Sequence, residues 1–404
     1  MAVTGIGFIT PCGFDIPSVW KNLLAGQSHC HRLTRFDPPN CVANAVAEIR
    51  EFEPSDWMTH REVKRLDRYC QFAVAAGRLA LEDAGFLRRP PDVTRAGISM
   101  GSALGGIAQA EAQHKIYVEE GPNKVARLLA LQIFGGTAHA AMAISFGWQG
   151  PATTNSNSCA AGSVAVADAA RLIRDGEADV MLAGGSEAPI APLTYSAFDF
   201  ISTMSRHPDP VTAFRPFDRR RDGFVMGEGA GVLVLEEWEH AQRRDARIYA
   251  EIGGSALNND AYHMTTPRSD GVTLARLIGG ALADSACEKE AIGLISAHAS
   301  STQVNDRTES AAIRHVFGEH QPAVHGTKPV TGHSLGAVGA MEIAITALAL
   351  HHQTIPPTPN LEELDPACEV DVVQGEPRRV DLEAAISHSF GFGGINSAVV
   401  LRRE

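Results

Sequence analysis

The sequence has no uninterrupted apolar run long enough to span a membrane. Its longest candidate, 337–350, is interrupted by Glu342, so we expect no membrane-spanning segment. The N-terminus leads directly into the apolar stretch 2–9, without a basic segment or a small-residue cleavage site. These absences predict a protein that is neither inserted into a membrane nor exported.

Paired cysteine spacings and an excess of basic residues are absent too. Seven cysteines, an odd number, favour reduced thiols and a cytoplasmic location. The 35 basic residues are outnumbered by 47 acidic ones, and the formal net charge of −12 disfavours nucleic acid as the main partner. No metal-ligand pattern is apparent. With 404 residues, of which 44% are hydrophobic and 20% charged, the composition is that of a globular enzyme of one large domain or two.

Strand-like and helical segments alternate along the chain, which predicts an α/β fold with mixed or parallel sheets. The predicted strands are 2–8, 96–100, 180–184, 231–236, 292–297, 385–389 and 398–401. The predicted helices are 68–84, 160–173, 274–286, 306–316 and 337–351. The charged stretch 236–247 is the best internal boundary, so we predict two parts, 1–245 and 246–404.

Cys159 is the most informative residue. Polar turn-forming residues lead into it, and a helix of small residues, 160–173, leads away. Free N–H groups and the positive end of the dipole at a helix N-terminus stabilise a thiolate. The pattern predicts a shielded, activated nucleophile, although a cysteine taken alone is more often a buried structural residue.

Two later segments place an imidazole at the start of a glycine- and alanine-rich element. His298 follows the strand-like run 291–295, and His333 stands five residues after Lys328, close to a predicted helix start. Lys328 precedes a proline and is expected to have an extended backbone. A cysteine, two histidines and a lysine at element boundaries together indicate nucleophilic catalysis.

Several long motifs resemble those of the β-ketoacyl-acyl-carrier-protein synthases, condensing enzymes of the thiolase-fold group, and most closely the type II elongating synthases. The resemblance covers essentially the whole chain. It implies a five-layer αβαβα fold of two related halves, the first with the nucleophilic cysteine and the second with the His/Lys/His residues and a glycine-rich gate loop. The motifs are TGIGFITPCG (4–13), SCAAG (158–162), RPFDRRRDGFVMGEGAG (215–231), DAYHMT (260–265), HASST (298–302), TKPVTGH (327–333) and SFGFGGIN (389–396).

The resemblance implies a decarboxylative Claisen condensation. An acyl group moves from a carrier-protein thioester to Cys159, and the enolate left when malonyl-carrier protein loses CO2 attacks the acyl-enzyme. His298 and His333 match the family histidines, which are expected to donate N–H bonds to the thioester oxygen as neutral rings. Lys328 and Glu309 match a lysine and a carboxylate, and we expect them to form an ion pair that orients the histidines.

The glycine-rich loop of the second half matches the family's oxyanion site and gate. The backbone N–H groups of Cys159 and Phe392 would bind the oxyanion, and the flanking Gly391 and Gly393 permit the backbone to approach closely. Phe392 and Phe198 match aromatic gates of the acyl pocket. An aromatic residue is as often plain core, and this alternative stays open for Phe198.

An acyl carrier protein is the implied partner, and it brings its own phosphopantetheine, so no resident cofactor is expected. Ser300 and Thr302 match hydroxyls that bind the pantetheine arm. Four basic residues at i, i+3, i+4 and i+7 would share one helix face and attract an acidic carrier, unless they are simply a solvated face: Arg61, Lys64, Arg65 and Arg68. The family also implies a dimer, either of identical chains or with a chain-length-factor-like subunit.

Departures from the family pattern border the acyl pocket. They favour a specialised, polyketide-like pathway, with housekeeping fatty-acid elongation as the alternative. The segment 124–131 lacks the proline and aromatic residues expected near the acyl channel, and the other departures are Asn157, Ser158, Ala299, Ser300, Pro329 and Ile395.

Two rival classes of protein stay open. The segment 332–336 matches G-x-S-x-G, and Asp365 and His388 follow in hydrolase order, which would make Ser334 the nucleophile of a serine hydrolase or acyltransferase. That turn needs a strand directly before it, and Pro329 argues against one. The second rival is a non-catalytic chain-length factor, but such subunits lack the nucleophilic cysteine that this chain keeps.

Overall fold

The structure is a computed structural model that describes residues 1–38, 40–87 and 91–404. Its strands are β1 (Ala2–Ile9), β2 (His31–Arg32), β3 (Ala45–Ala47), β4 (Ala96–Gly101), β5 (Ala152–Asn155), β6 (Val180–Glu187), β7 (Met226–Gly227), β8 (Gly229–Glu236), β9 (Ala250–Asn259), β10 (Ile292–Ser296), β11 (Ala323–His325), β12 (Thr354–Ile355), β13 (Arg378–Arg379), β14 (Ala384–Gly391) and β15 (Ile395–Arg402). Its α-helices are α1 (Ile16–Leu24), α2 (His60–Arg65), α3 (Arg68–Asp83), α4 (Ile107–Glu120), α5 (Leu129–Gln132), α6 (Thr137–Phe146), α7 (Ala161–Arg174), α8 (Pro192–Phe200), α9 (Trp238–Arg243), α10 (Val272–Ser285), α11 (Gln303–Phe317), α12 (Lys328–Thr331) and α13 (Val338–His352).

Two five-stranded sheets with the same topology form the centre of the molecule. The strands run in the order β5-β4-β6-β8-β1 in the first sheet and β11-β10-β14-β15-β9 in the second. When the strands of each sheet are numbered along the chain, both sheets have the spatial order third, second, fourth, fifth, first. The first three positions of this order pair in parallel, and the remaining neighbours pair antiparallel. Among the strands of the described residues, β1 and β9 alone join the two sheets, through Ala2 with Glu251 and Val3 with Ala250. The chain therefore contains two related halves.

Helices cover both faces of each sheet. Helices α7 and α13 lie between the sheets, α3 and α6 cover the outer face of the first, and α10 and α11 cover that of the second. This is the five-layer αβαβα arrangement, which confirms the predicted fold class. Strands such as β8 and β14 are almost continuously buried because helices cover both of their faces.

The two central helices pack very closely because small residues face each other. A Cβ atom on Gly162 of α7 would lie 2.9 Å from the backbone nitrogen of Ala340 in α13. The segment Leu335–His352 is, among the described residues, the only helical stretch long and apolar enough to cross a membrane, with a mean hydropathy of 1.3. This corrects the expectation that no segment reaches that length. Since 89% of it is buried inside the protein, it is a core helix here.

A repeated turn opens each central helix. A 3₁₀ turn over Ser158–Ala160 leads into α7, and another over Leu335–Ala337 leads into α13. Ser158 and Leu335 both take left-handed backbone angles, with φ of 51° and 42°. Cys159 therefore occupies a position that the fold builds twice.

The five predicted helices and the seven predicted strands are all present, with small shifts of their ends. Lys328 is an exception, because it begins the short helix α12 instead of extending the chain. The following proline is tolerated there, since the first helical turn needs no N–H donor at that position. The boundary at 245 and 246 lies between the last strand of the first sheet and the first strand of the second, and stays a prediction.

Candidate active site

A cavity of about 370 Å³ lies where turns of the two halves meet. Cys159 reaches it from the turn after β5, His298 from the end of β10, and His333 from the turn after α12. The loop between β14 and β15 closes another side. Eight residues predicted from the sequence line this cavity: Cys159, Phe198, His298, Ser300, Thr302, His333, Gly391 and Phe392.

The Cys159 thiol is enclosed, with a residue exposure of 7%. Burial raises the pKa of the Cys159 thiol to about 11, although the Ser158 hydroxyl, the charge of Lys328 and the Phe392 backbone N–H all favour the thiolate. The direction is opposite to the lowered pKa expected from a helix N-terminus, because the loss of water around the sulfur is the largest influence. The resting residue is therefore a protonated thiol.

The glycine-rich loop packs closely against the turn that carries Cys159. A Cβ atom on Gly391 would lie 3.1 Å from the Ser158 Cβ atom and 3.2 Å from the Cys159 backbone nitrogen. Only glycine fits this approach without displacing a neighbour. The loop thereby places the Phe392 N–H beside the sulfur, and its role in an oxyanion site stays a prediction.

Two buried imidazoles lie side by side in the cavity. The ring centroids of His298 and His333 are 5.5 Å apart, with the planes at 79°. Burial, and next the positive charge of Lys328, hold both pKa values well below the ordinary histidine value. Both rings are therefore neutral at physiological pH. The backbone of His333 is fixed by an N–H bond to the Val225 carbonyl at 2.9 Å.

Lys328 does not form the predicted ion pair with Glu309. Its Nζ lies 2.7 Å from Glu342 Oε1, and both side chains are completely buried. Nζ also donates to the backbone carbonyl of His298. The sequence did hold a signal for this partner, because Glu342 is the only acidic residue of the apolar helix α13.

Glu309 holds the backbone beside His298. Its Oε1 accepts the N–H of His298 at 2.8 Å, and its Oε2 accepts the N–H of Ala299 at 2.9 Å. The ring of His388 lies on the same carboxylate, with Nδ1 3.1 Å from Oε1. Sequence reasoning considered His388 only for the hydrolase alternative and so missed this contact.

The predicted pantetheine and gate residues lie at the cavity wall. The hydroxyls of Ser300 and Thr302 are 3.0 Å apart, and Thr302 also caps α11. The rings of Phe198 and Phe392 stack, with centroids 6.3 Å apart and planes at 17°. Phe198 is therefore in contact with the gate loop.

The four basic residues do not share one helix face. Helix α2 ends at Arg65, and Asp67 caps a new helix that begins with Arg68. The Arg68 guanidinium turns inward to Glu228, at 3.0 Å. Arg61, Lys64 and Arg65 remain exposed on α2.

The serine-hydrolase geometry is not formed. Ser334 is fully buried, and its hydroxyl contacts the Met341 sulfur at 3.3 Å. Asp365 forms a salt bridge with Arg221 at 2.8 Å, and His388 bonds to Glu309. A helical turn, α12, precedes this segment where the hydrolase motif requires a strand. The second sequence alternative, a subunit without the cysteine, does not fit a chain that places Cys159 in the cavity.

This arrangement defines a class of enzyme: a buried thiol with N–H donors and two neutral imidazoles suits acyl transfer through a thioester with stabilisation of a developing oxyanion. Comparison with known proteins gives the family. Residues 1–241 match the N-terminal domain and residues 249–362 the C-terminal domain of beta-ketoacyl synthase. The chain belongs to the β-ketoacyl synthase family, and it is a condensing acyltransferase.

Three relatives match over nearly their full lengths. A 3-oxoacyl-[acyl-carrier-protein] synthase 2 of Synechocystis is 40% identical, covering 100% of this chain and 98% of that protein. The structure of the ishigamide ketosynthase/chain length factor is 36% identical, with a TM-score of 0.94 and coverage of 100% and 98%. A third match comes from the solved complex of a type II polyketide synthase acyl-carrier protein with its ketosynthase bound to the hexaketide. The matching chain is 33% identical, with a TM-score of 0.90 and coverage of 100% of this chain and 98% of that chain.

Proposed function

We propose that this β-ketoacyl synthase loads an acyl group onto Cys159 and condenses it with malonyl-carrier protein in a specialised, polyketide-like pathway. The observation that carries the chemical part is the meeting of Cys159, the Phe392 N–H and two neutral histidines in one cavity. Each group has a separate task in a two-step reaction.

Acyl transfer is the first step. The Cys159 sulfur attacks the thioester carbonyl, and the backbone N–H groups of Cys159 and Phe392 stabilise the negative oxygen of the tetrahedral intermediate. The thiol proton is transferred to the departing pantetheine sulfur, so the carrier leaves as a free thiol. Since the resting thiol is protonated, attack and proton loss are coupled within the enclosed cavity.

Decarboxylation and condensation form the second step. The bond between the malonyl carboxylate carbon and the methylene carbon breaks, and CO2 leaves. The electron pair of that bond stays on the methylene carbon and forms an enolate, whose oxygen accepts N–H bonds from His298 and His333. The enolate carbon then attacks the acyl carbonyl, the bond between that carbonyl carbon and the Cys159 sulfur breaks, and the released thiolate takes up a proton from solvent water. Neutral imidazole rings suit this task because each can donate an N–H hydrogen bond to the enolate oxygen without first losing a proton.

The carrier would approach the cavity from the side of the exposed residues Arg61, Lys64 and Arg65. Their charge complements an acidic carrier, and the enzyme's own net charge of −12 makes this local basic site distinctive. Ser300 and Thr302 would hold the pantetheine arm, which the carrier supplies. A ketosynthase of similar fold has been solved with its acyl-carrier protein, which supports this partner.

A dimer across the β5 edge of the first sheet fits the surface. Strand β5 ends the sheet, and Ala152 and Thr153 are exposed along it. Large apolar side chains are exposed on α6, which packs against β5, and on α8, including Ile144 at 83% and Leu193 at 69% respectively. The partner is a second copy of this chain or a chain-length-factor-like subunit. The solved ishigamide ketosynthase/chain length factor supports the second of these partners.

A panel of acyl-carrier proteins that bear different acyl groups can distinguish the specialised pathway from housekeeping fatty-acid elongation. The structure of a type II polyketide synthase ketosynthase with its acyl-carrier protein favours the specialised role, and the Synechocystis synthase favours housekeeping elongation. We expect the highest kcat/KM with carriers that bear polyketide or other unusual acyl chains when condensation products are measured by mass spectrometry. A preference for saturated fatty acyl carriers would assign the housekeeping role instead.

A further inference from the structure

We propose that His388 is a positioning residue for the decarboxylation step, acting through Glu309 on His298. The inference rests on the function proposed above for His298. His388 is fully buried, does not line the cavity and has no part in the two-step reaction.

The direction of the hydrogen bond follows from its acceptor. Glu309 Oε1 already accepts the His298 N–H at 2.8 Å and lies 3.1 Å from His388 Nδ1. A carboxylate oxygen only accepts, so Nδ1 of His388 carries the proton and donates it. A bond to a charged acceptor in a buried place is among the stronger hydrogen bonds in proteins.

The other ring nitrogen shows that His388 is not there for packing alone. Its Nε2 is buried and has no hydrogen-bond partner within the described residues. An unpaired buried polar atom costs free energy, which an apolar ring of similar size would avoid. The bond from Nδ1 to Glu309 is the interaction that offsets this cost.

Glu309 needs a firm hold because the backbone that it fixes is strained. Ala299, directly after His298, has a φ of 44°, in the left-handed region that alanine rarely takes. Glu309 Oε2 accepts the Ala299 N–H at 2.9 Å and so helps to maintain this conformation. If the carboxylate turned away, the backbone at His298 would be free to relax.

His298 is thus held on both sides of its backbone. Lys328 donates to its carbonyl and is paired with Glu342 at 2.7 Å. Glu309 accepts its N–H and is bound in turn by His388. Each holding group is charged, buried and fixed by a partner behind it. His388 therefore holds the side chain of Glu309 in place, as Glu342 holds that of Lys328.

A packing contact follows the same route. The ring centroid of Phe390 lies 5.6 Å from that of His388 and 5.5 Å from that of His298. His388 and Phe390 are two residues apart on β14 and therefore share one face of the strand. Strand β14 therefore supports the ring of His298 through Phe390 and its backbone through His388 and Glu309.

The test compares the two half-reactions in His388→Phe and His388→Asn. Phenylalanine keeps a ring but removes the donor, whereas the asparagine amide can replace Nδ1 as a donor to Glu309. We expect His388→Phe to lower CO2 release from malonyl-carrier protein by roughly 10- to 100-fold, the order that a small misplacement of a reacting group costs. Acyl loading of Cys159, measured by intact mass, should stay within about twofold, and His388→Asn should recover most of the CO2 release.

Several outcomes would overturn the proposal. Equal losses in both half-reactions, or an asparagine variant no better than phenylalanine, would show a structural role for the ring. Unchanged CO2 release in His388→Phe would show that Glu309 does not need His388, since Asn305 Nδ2 also donates to Glu309 Oε2, at 3.5 Å. If His388→Phe does not fold, His388→Leu takes its place, and failure of both to fold would also assign the ring to stability alone.

His298→Ala, measured alongside, separates this inference from the proposed function. Normal CO2 release in His298→Ala would contradict the proposed role of His298 itself. A large loss in His298→Ala together with no loss in His388→Phe would overturn only the positioning role of His388.

Discussion

Removing the charge of Glu342 should destabilise the protein far more than removing any exposed carboxylate. Lys328 and Glu342 are both completely buried, with Nζ and Oε1 2.7 Å apart. In Glu342→Gln the lysine keeps its positive charge and loses the only carboxylate that it contacts among the described residues. The remaining acceptor for Nζ is the neutral carbonyl of His298.

The size of the effect follows from this burial. Breaking a buried ion pair by removing one partner costs about 3–5 kcal/mol, because an uncompensated charge remains away from water. Replacing both partners with apolar groups of similar volume is often neutral, since no charge is left behind. We therefore expect Glu342→Gln to lose about 3–5 kcal/mol, and the double variant Lys328→Met/Glu342→Leu to regain most of it.

The measurement is the free energy of unfolding from urea titration at one protein concentration. Glu177→Gln is a matched control, because Glu177 is exposed and the substitution should change stability by less than about 0.5 kcal/mol. A loss below about 1 kcal/mol for Glu342→Gln, set against the penalty expected for a buried unpaired charge, would refute the reasoning. A double variant less stable than Glu342→Gln would refute it as well.

Three further predictions concern catalysis. His298→Ala or His333→Ala should each lower CO2 release from malonyl-carrier protein by on the order of 100- to 1000-fold while acyl loading continues, and equal loss of loading in intact-mass measurements would contradict the division of tasks. Because both histidine pKa values lie well below 6.5, CO2 release should show no inflection near pH 6.5 as the pH falls, and a fall centred there in a pH–rate profile would mean that the rings titrate normally. Lys64→Glu combined with Arg65→Glu should raise KM for the carrier about tenfold, in line with the loss of steering charges, with kcat unchanged and with a smaller difference at high salt; an unchanged KM would place the docking surface elsewhere.

The order of elements along the chain could be read from the sequence, and the exceptions have physical causes. The buried strands β8 and β14 are predicted nearly at their observed ends, because β8 contains the apolar run VLVL and β14 begins with the apolar run AAI. Strand β9 was missed because its sequence, AEIGGSALNN, is broken by glycines and polar residues. It is fixed by pairing with β15 and β1, which is information that no local pattern contains.

The site residues on turns were predictable, and their partners were not. Cys159, His298 and His333 lie at element boundaries that turn formers mark, whereas the pairing of Lys328 with Glu342 depends on how α12 meets α13. Spacing along the chain carries no such information. The thiol pKa differs from expectation for a similar reason, since burial depends on the whole cavity.

The broken basic stripe had a local signal that the periodicity argument overlooked. Asp67 caps α3, and Leu66 before it is extended, so α2 and α3 are separate helices. An aspartate before an apolar run is a common helix start. Weighing that residue against the i, i+3, i+4, i+7 spacing would have separated Arg68 from Arg65.

Formation of an acyl-enzyme on Cys159 tests the central claim most directly. The measurement is intact-protein mass spectrometry after incubation with a panel of acyl-carrier proteins, comparing wild type with Cys159→Ala and with Cys287→Ala, which removes another partly accessible thiol. We predict a gain of one acyl group in the wild type and in Cys287→Ala, and none in Cys159→Ala. A gain that persists in Cys159→Ala, or the absence of any gain in the wild type across the panel, would contradict the assignment of Cys159 as the nucleophile.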